Sequence, residues 1–121
     1  GPDAAALREA NEEVALDPAD ARVLGYLPAY YTGTNYLITP VVAEVVPRAD
    51  FVPNPSEVKT IFEVPLSRLM RNESFETLTV RRKDVEHSTW KITHGGLMIW
   101  GITANLTRRF YELALRAEET A

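Results

Sequence analysis

The chain has 121 residues, of which 45% are apolar and 25% charged, with a formal net charge of −4 and no cysteine. That length allows one domain with a modest core, and the lack of cysteine excludes disulfides, zinc fingers, iron–sulfur clusters and thiol nucleophiles. Thirteen basic against seventeen acidic residues and only two histidines argue against a nucleic-acid partner, which needs clustered Lys and Arg, and confine the chemistry to carboxylates, hydroxyls, a few Arg and Lys, and a hard metal ion.

Residues 3–16 read as a helix: Asp3 is a good N-cap, and Ala4, Ala5, Ala6 and Leu7 are strong helix formers. Leu7, Ala10 and Val14 fall on one apolar stripe, and Asp17-Pro18-Ala19-Asp20 then turns the chain. Residues 22–27 read as a short strand, followed by an exposed loop over Tyr30-Tyr31-Thr32-Gly33-Thr34-Asn35. Residues 36–46, rich in Val and Ile, read as a strand interrupted at Pro40. A Pro-rich loop is expected over residues 47–56, a third strand over 58–64 ended by Pro65, and a helical turn over 66–71. Residues 75–82 read as a strand with one wet face, with 88–93 able to pair with it. Gly95-Gly96 reads as a turn and residues 103–118 as a terminal helix with Leu106, Phe110, Leu113 and Ala117 at helical spacing. Trp100, large and apolar, is expected in the core. The uncharged stretches 23–43 and 94–107 are broken by Gly, Pro, Asn and Thr, so no membrane span is expected. No signal peptide is expected either. Helix, strands, helix is the pattern of an α+β domain, a mixed sheet with helices packed on its faces.

The informative run is Arg8-Glu9-Ala10-Asn11-Glu12-Glu13. At helical spacing Glu9, Glu12 and Glu13 fall within an arc of roughly 100°, opposite the apolar stripe. Glu9 and Glu13 are like charges at i, i+4, and Glu12 and Glu13 lie where the helix dipole disfavours anions. A divalent cation would reverse both penalties, and magnesium takes oxygen ligands of this kind. Charge runs of this sort are more often a solvated face, so the spacing alone leaves both readings open.

The segment Ala6-Leu7-Arg8-Glu9-Ala10-Asn11-Glu12-Glu13-Val14-Ala15-Leu16 resembles the second half of the Nudix box, Arg-Glu-aliphatic-x-Glu-Glu-x-Gly-aliphatic, with Ala15 standing where the family has Gly. Phe51-Val52-Pro53-Asn54-Pro55-Ser56-Glu57-Val58, then Ile61-Phe62-Glu63-Val64-Pro65-Leu66 and Ile99-Trp100-Gly101-Ile102-Thr103-Ala104, are similar to the coenzyme A pyrophosphatase branch of that family. The resemblance implies a Nudix fold, a mixed sheet in an α/β/α sandwich, of which residues 1–121 form the C-terminal portion. The Gly and first Glu of the box, together with the early strands, are expected upstream of this chain.

The activity implied is hydrolysis of the pyrophosphate bond of a nucleoside diphosphate derivative, coenzyme A or an acyl-CoA first, with another substrate such as ADP-ribose, or an inactive binding module, as alternatives. By the same resemblance Glu9, Glu12 and Glu13 are metal ligands for Mg2+ or Mn2+, one of them instead orienting the attacking water. Arg8 holds a neighbouring carboxylate. Glu57 is a further ligand or general base, and Tyr30, Tyr31 and Asn35 contact the nucleotide or pantetheine group. The partners expected are a small-molecule nucleotide and a second copy in a homodimer, with no nucleic acid and no membrane, in the cytoplasm.

Overall fold

A computed structural model describes residues 1–47 and 50–120. Residues 48 and 49 of the expected Pro-rich loop therefore lie outside the described residues. The chain divides into two compact units, Gly1–Glu63 and Val64–Ala121, each built on antiparallel hairpins and helices. The α+β class expected from the sequence is what the structure shows; the pairings described are all antiparallel, in sheets of two, two and three strands.

The first unit opens with helix α1, Pro2–Val14. Pro2 sits in its first turn, where a missing N–H costs nothing. The helix buries none of its residues fully; the stripe of Leu7, Ala10 and Val14 is half-buried. It ends at Ala15, whose backbone is left-handed (φ 61°, ψ 31°), and the Asn11 side-chain amide donates to the Leu16 carbonyl at 3.0 Å, closing the exit. The next turn, Pro18–Asp20, is capped by Asp17, whose carboxylate accepts the Ala19 N–H at 2.9 Å.

Strand β1, Ala21–Tyr26, pairs with β4, Val41–Val45. An irregularity between Val23 and Gly25 leaves Leu24 outside the ladder. Between these strands a small hairpin is formed by β2, Tyr30–Tyr31, and β3, Leu37–Ile38. The single strand expected over 36–46 is thus two, and the break falls at Pro40, which has no N–H to give a ladder and whose carbonyl instead accepts the Leu27 N–H at 3.0 Å. The strand expected over 58–64 does not form. Val58 turns back to the Asn54 carbonyl at 2.8 Å, and the rest of the stretch has no ladder partner among the described residues.

The second unit begins with a single helical turn, α2, Leu66–Leu69. Its sheet is β5, Glu76–Arg82, β6, Val85–His94, and β7, Leu97–Trp100, in that order. Helix α3, Gly101–Glu119, follows at once, entered through the left-handed Gly101 (φ 68°), a conformation glycine takes at little cost. Phe75, Ile92 and Ala104 are buried.

The face of α3 that meets this core carries Arg108 and Tyr111. The Arg108 guanidinium carbon lies 4.6 Å from the Trp90 ring centre, 5.1 Å from Phe75 and 5.2 Å from Tyr111. Its nitrogens also bond Glu112 at 3.0 Å and Asn72 at 2.9 Å. With the guanidinium set against rings and its nitrogens paired, partial burial costs little. Asn105, one turn away, accepts the Trp90 N–H at 3.0 Å and the Thr89 hydroxyl at 3.1 Å, pinning helix to strand. Trp100, expected in the core, is instead 48% exposed.

Candidate active site

Glu9, Glu12 and Glu13 all lie on α1 and all are exposed. The 3.6-residue period brings them to one face, as the sequence requires. The last turn of the helix carries no basic residue, so Glu12 and Glu13 meet the negative end of the dipole uncompensated, each at a few tenths of a kcal/mol. Arg8 is exposed too, and among the described residues it makes no ion pair; the contact expected between it and a neighbouring carboxylate is not formed.

In donor chemistry three carboxylates suit a hard divalent cation, which also keeps waters and phosphates in its shell. In geometry, among the described residues, no group of three or more His, Asp or Glu side chains is gathered closely enough to hold an ion. The face offers the right ligands without a closed cage.

The Pro-rich segment is drawn to the end of this helix. Val52 N–H donates to the Val14 carbonyl at 3.1 Å, and Asn54 N–H to the Glu13 carbonyl at 2.8 Å. Two of the carbonyls that a helix end leaves without intrahelical partners are satisfied in this way. Asn54 then starts a tight turn: its side-chain oxygen accepts from the Ser56 N–H at 3.2 Å and the Ser56 hydroxyl at 2.8 Å, and its carbonyl accepts from the Glu57 N–H at 3.0 Å. Glu57 is exposed on that turn. The structure thus brings the backbone of the Glu57 turn to the Glu12–Glu13 end of α1, a junction invisible in the sequence because it is made of main-chain bonds. Beside it opens an apolar pocket of about 780 Å³, lined among others by Val14, Leu16, Val45, Phe51, Ile61 and Phe62.

Tyr30, Tyr31 and Asn35 sit on the β2–β3 hairpin. The Tyr31 hydroxyl donates to the Asn35 side-chain oxygen at 2.5 Å, and Asn35 is left-handed (φ 68°), a conformation Asn tolerates better than most residues. The buried Thr32 organises the same loop: its N–H donates to the Tyr36 carbonyl at 2.8 Å and its hydroxyl accepts the Tyr36 N–H at 3.2 Å. Tyr31 and Asn35 therefore meet each other. His94 ends β6 opposite Leu97, and Arg81, Arg82 and Lys83 are exposed at the β5–β6 hairpin. Among the described residues no helix is long and apolar enough to cross a membrane.

No protein-family model matches the chain. Curated relatives do. Three named "Uncharacterized Nudix hydrolase NudL" come from Enterobacter sp. (strain 638), Citrobacter koseri and Klebsiella pneumoniae (strain 342), and are 37%, 38% and 37% identical over 113 residues. The aligned residues are 93% of this chain and 57% of each relative, so the chain spans a little over half the length of the curated relatives it matches. The chain is thus similar along nearly its whole length to proteins named as Nudix hydrolases.

Proposed function

We propose that the protein carrying this chain hydrolyses the pyrophosphate bond of a nucleoside diphosphate derivative, with coenzyme A or an acyl-CoA as its substrate. The observation that carries the reading is the exposed carboxylate face of α1 within a chain 37–38% identical to Nudix hydrolases. The similarity of residues 51–66 and 99–104 to the coenzyme A branch supports the choice of substrate.

In this reading Glu9, Glu12 and Glu13 hold Mg2+ or Mn2+, and such an ion, when bound, neutralises phosphate charge and lowers the pKa of a bound water. In the same reading Glu57 accepts a proton from the attacking water, or adds an oxygen ligand. The β2–β3 hairpin, through Tyr30, Tyr31 and Asn35, contacts the nucleotide or pantetheine arm; the Tyr31–Asn35 bond then has to be exchanged for substrate contacts. The reading takes a small nucleotide as partner, with neither nucleic acid nor membrane, a homodimer as assembly and the cytoplasm as the site of action.

The test is a substrate panel on the full-length protein with magnesium. Coenzyme A is expected to show a higher kcat/KM than ADP-ribose or nucleoside triphosphates. A panel led by ADP-ribose would move the assignment to another Nudix pyrophosphatase activity, and no turnover of any diphosphate derivative would leave only a binding role.

A further inference from the structure

We propose that Asn54 is a positioning residue of the candidate site, fixing the Glu57 turn against the end of α1 that bears Glu12 and Glu13. The inference rests on the metal-dependent reading of that site given above.

Pro53 and Pro55 flank Asn54 and have no N–H, so alternate residues must supply the donors. Val52 and Asn54 do so, to the consecutive carbonyls of Val14 and Glu13. Beyond Pro55, the next three N–H groups, from Ser56, Glu57 and Val58, all turn back to Asn54. One half-buried residue thus gives its N–H to α1 and takes every donor of the following turn. The Glu57 amide is two hydrogen bonds removed from the Glu13 carbonyl: Glu57 N–H to the Asn54 carbonyl at 3.0 Å, then Asn54 N–H to the Glu13 carbonyl at 2.8 Å.

Only part of this depends on the side chain. The side-chain oxygen holds the Ser56 N–H and hydroxyl, which shapes the turn as an Asx turn. Alanine removes that acceptor, whereas aspartate keeps it. Loss of the acceptor frees the turn to sample other conformations, so that Glu57 is displaced while Glu12 and Glu13, borne by the helix itself, stay in place.

The experiment uses the full-length protein with Mn2+ as a paramagnetic probe, reading amide signals by NMR, alongside magnesium-dependent coenzyme A hydrolysis. In the unsubstituted protein Mn2+ should broaden the Glu12, Glu13 and Glu57 amides. Asn54→Ala should keep the broadening at Glu12 and Glu13, weaken it at Glu57, and lower kcat about ten- to a hundredfold, the usual cost of losing a partner that orients a metal-site group, with KM little changed. Asn54→Asp should restore both readouts. Added to Glu57→Gln, Asn54→Ala should cost nothing more. Glu57 broadening unchanged by Asn54→Ala, or a loss of activity that adds fully to that of Glu57→Gln, overturns the inference while leaving the metal reading standing. Broadening at none of the three amides in the unsubstituted protein overturns both.

Discussion

Ala15 shows how far a single residue can be read without coordinates. The sequence marks it as standing where the Nudix pattern has glycine, and glycine there eases the exit from a helix. The structure adds that Ala15 makes that exit in the left-handed region, which disfavours a residue with a Cβ by roughly 1–2 kcal/mol. Glycine's larger entropy in the unfolded chain offsets part of that. Ala15→Gly is therefore expected to stabilise the protein by about 0.5–1 kcal/mol, seen as a higher denaturant midpoint at unchanged slope; a lower midpoint would show that Ala15 is not strained. Other residues were legible in type but not in partner. Tyr31 and Asn35 stand out as polar loop residues, but their mutual hydrogen bond depends on a hairpin register that composition does not encode. The exposure of Trp100 was missed because apolar size argues for burial, yet its strand alternation puts Ile99 half-buried and Trp100 exposed.

Among the elements, hairpins reveal what turn chemistry does and does not announce. Gly95-Gly96 is a two-residue turn with both φ angles positive, between His94 and Leu97, and its sequence says so. The other turn of the same sheet, Lys83-Asp84 between Arg82 and Val85, has the same left-handed pair (φ 51° and 61°) without the Asn-Gly signature that favours it. Replacing Lys83-Asp84 by Asn-Gly should stabilise the hairpin by about 0.5–1 kcal/mol, measurable as slower amide exchange at Arg81 to Glu86; faster exchange would contradict the turn assignment. The expected strand over 58–64 failed for a related reason. Its β-branched and aromatic residues fit a strand, but a strand needs a neighbour, and Ile61 and Phe62 line an open pocket instead. In α3 the helical period is as expected, and a second face packs as well. Ala104, Arg108 and Tyr111 meet the sheet, whereas Leu106, Phe110 and Leu113 lie round the other side, half-buried. Arg108 disguised the inner face, because a half-buried cation among three rings looks like a surface residue to any hydrophobicity pattern.

At the scale of the whole molecule the two units differ in how far they close a core. The first has Leu16 as its one buried apolar residue among those described, with Leu24, Tyr26, Tyr36 and Leu37 exposed; the second buries Phe75, Ile92 and Ala104. Since amide protection follows buried apolar contact, the amides of β6 and α3 in the isolated 121 residues should exchange more slowly than those of α1, β1 and β4. Equal protection in both units, measured by hydrogen exchange, would show that the open pocket and the exposed apolar side chains cost the first unit nothing. The α+β class and the carboxylate face were legible because both follow from periodicity, which is local. The docking of the Glu57 turn was not, because it is made by backbone groups far apart in sequence. In the proposed function this carboxylate face is where the reaction takes place. Its most direct test is the double substitution Glu12→Gln and Glu13→Gln in the full-length protein, followed by magnesium-dependent coenzyme A hydrolysis with circular dichroism as a check of fold. Both glutamates are exposed, so the fold should be unchanged and the hydrolysis abolished; activity surviving within a few-fold, with the fold intact, would contradict the account.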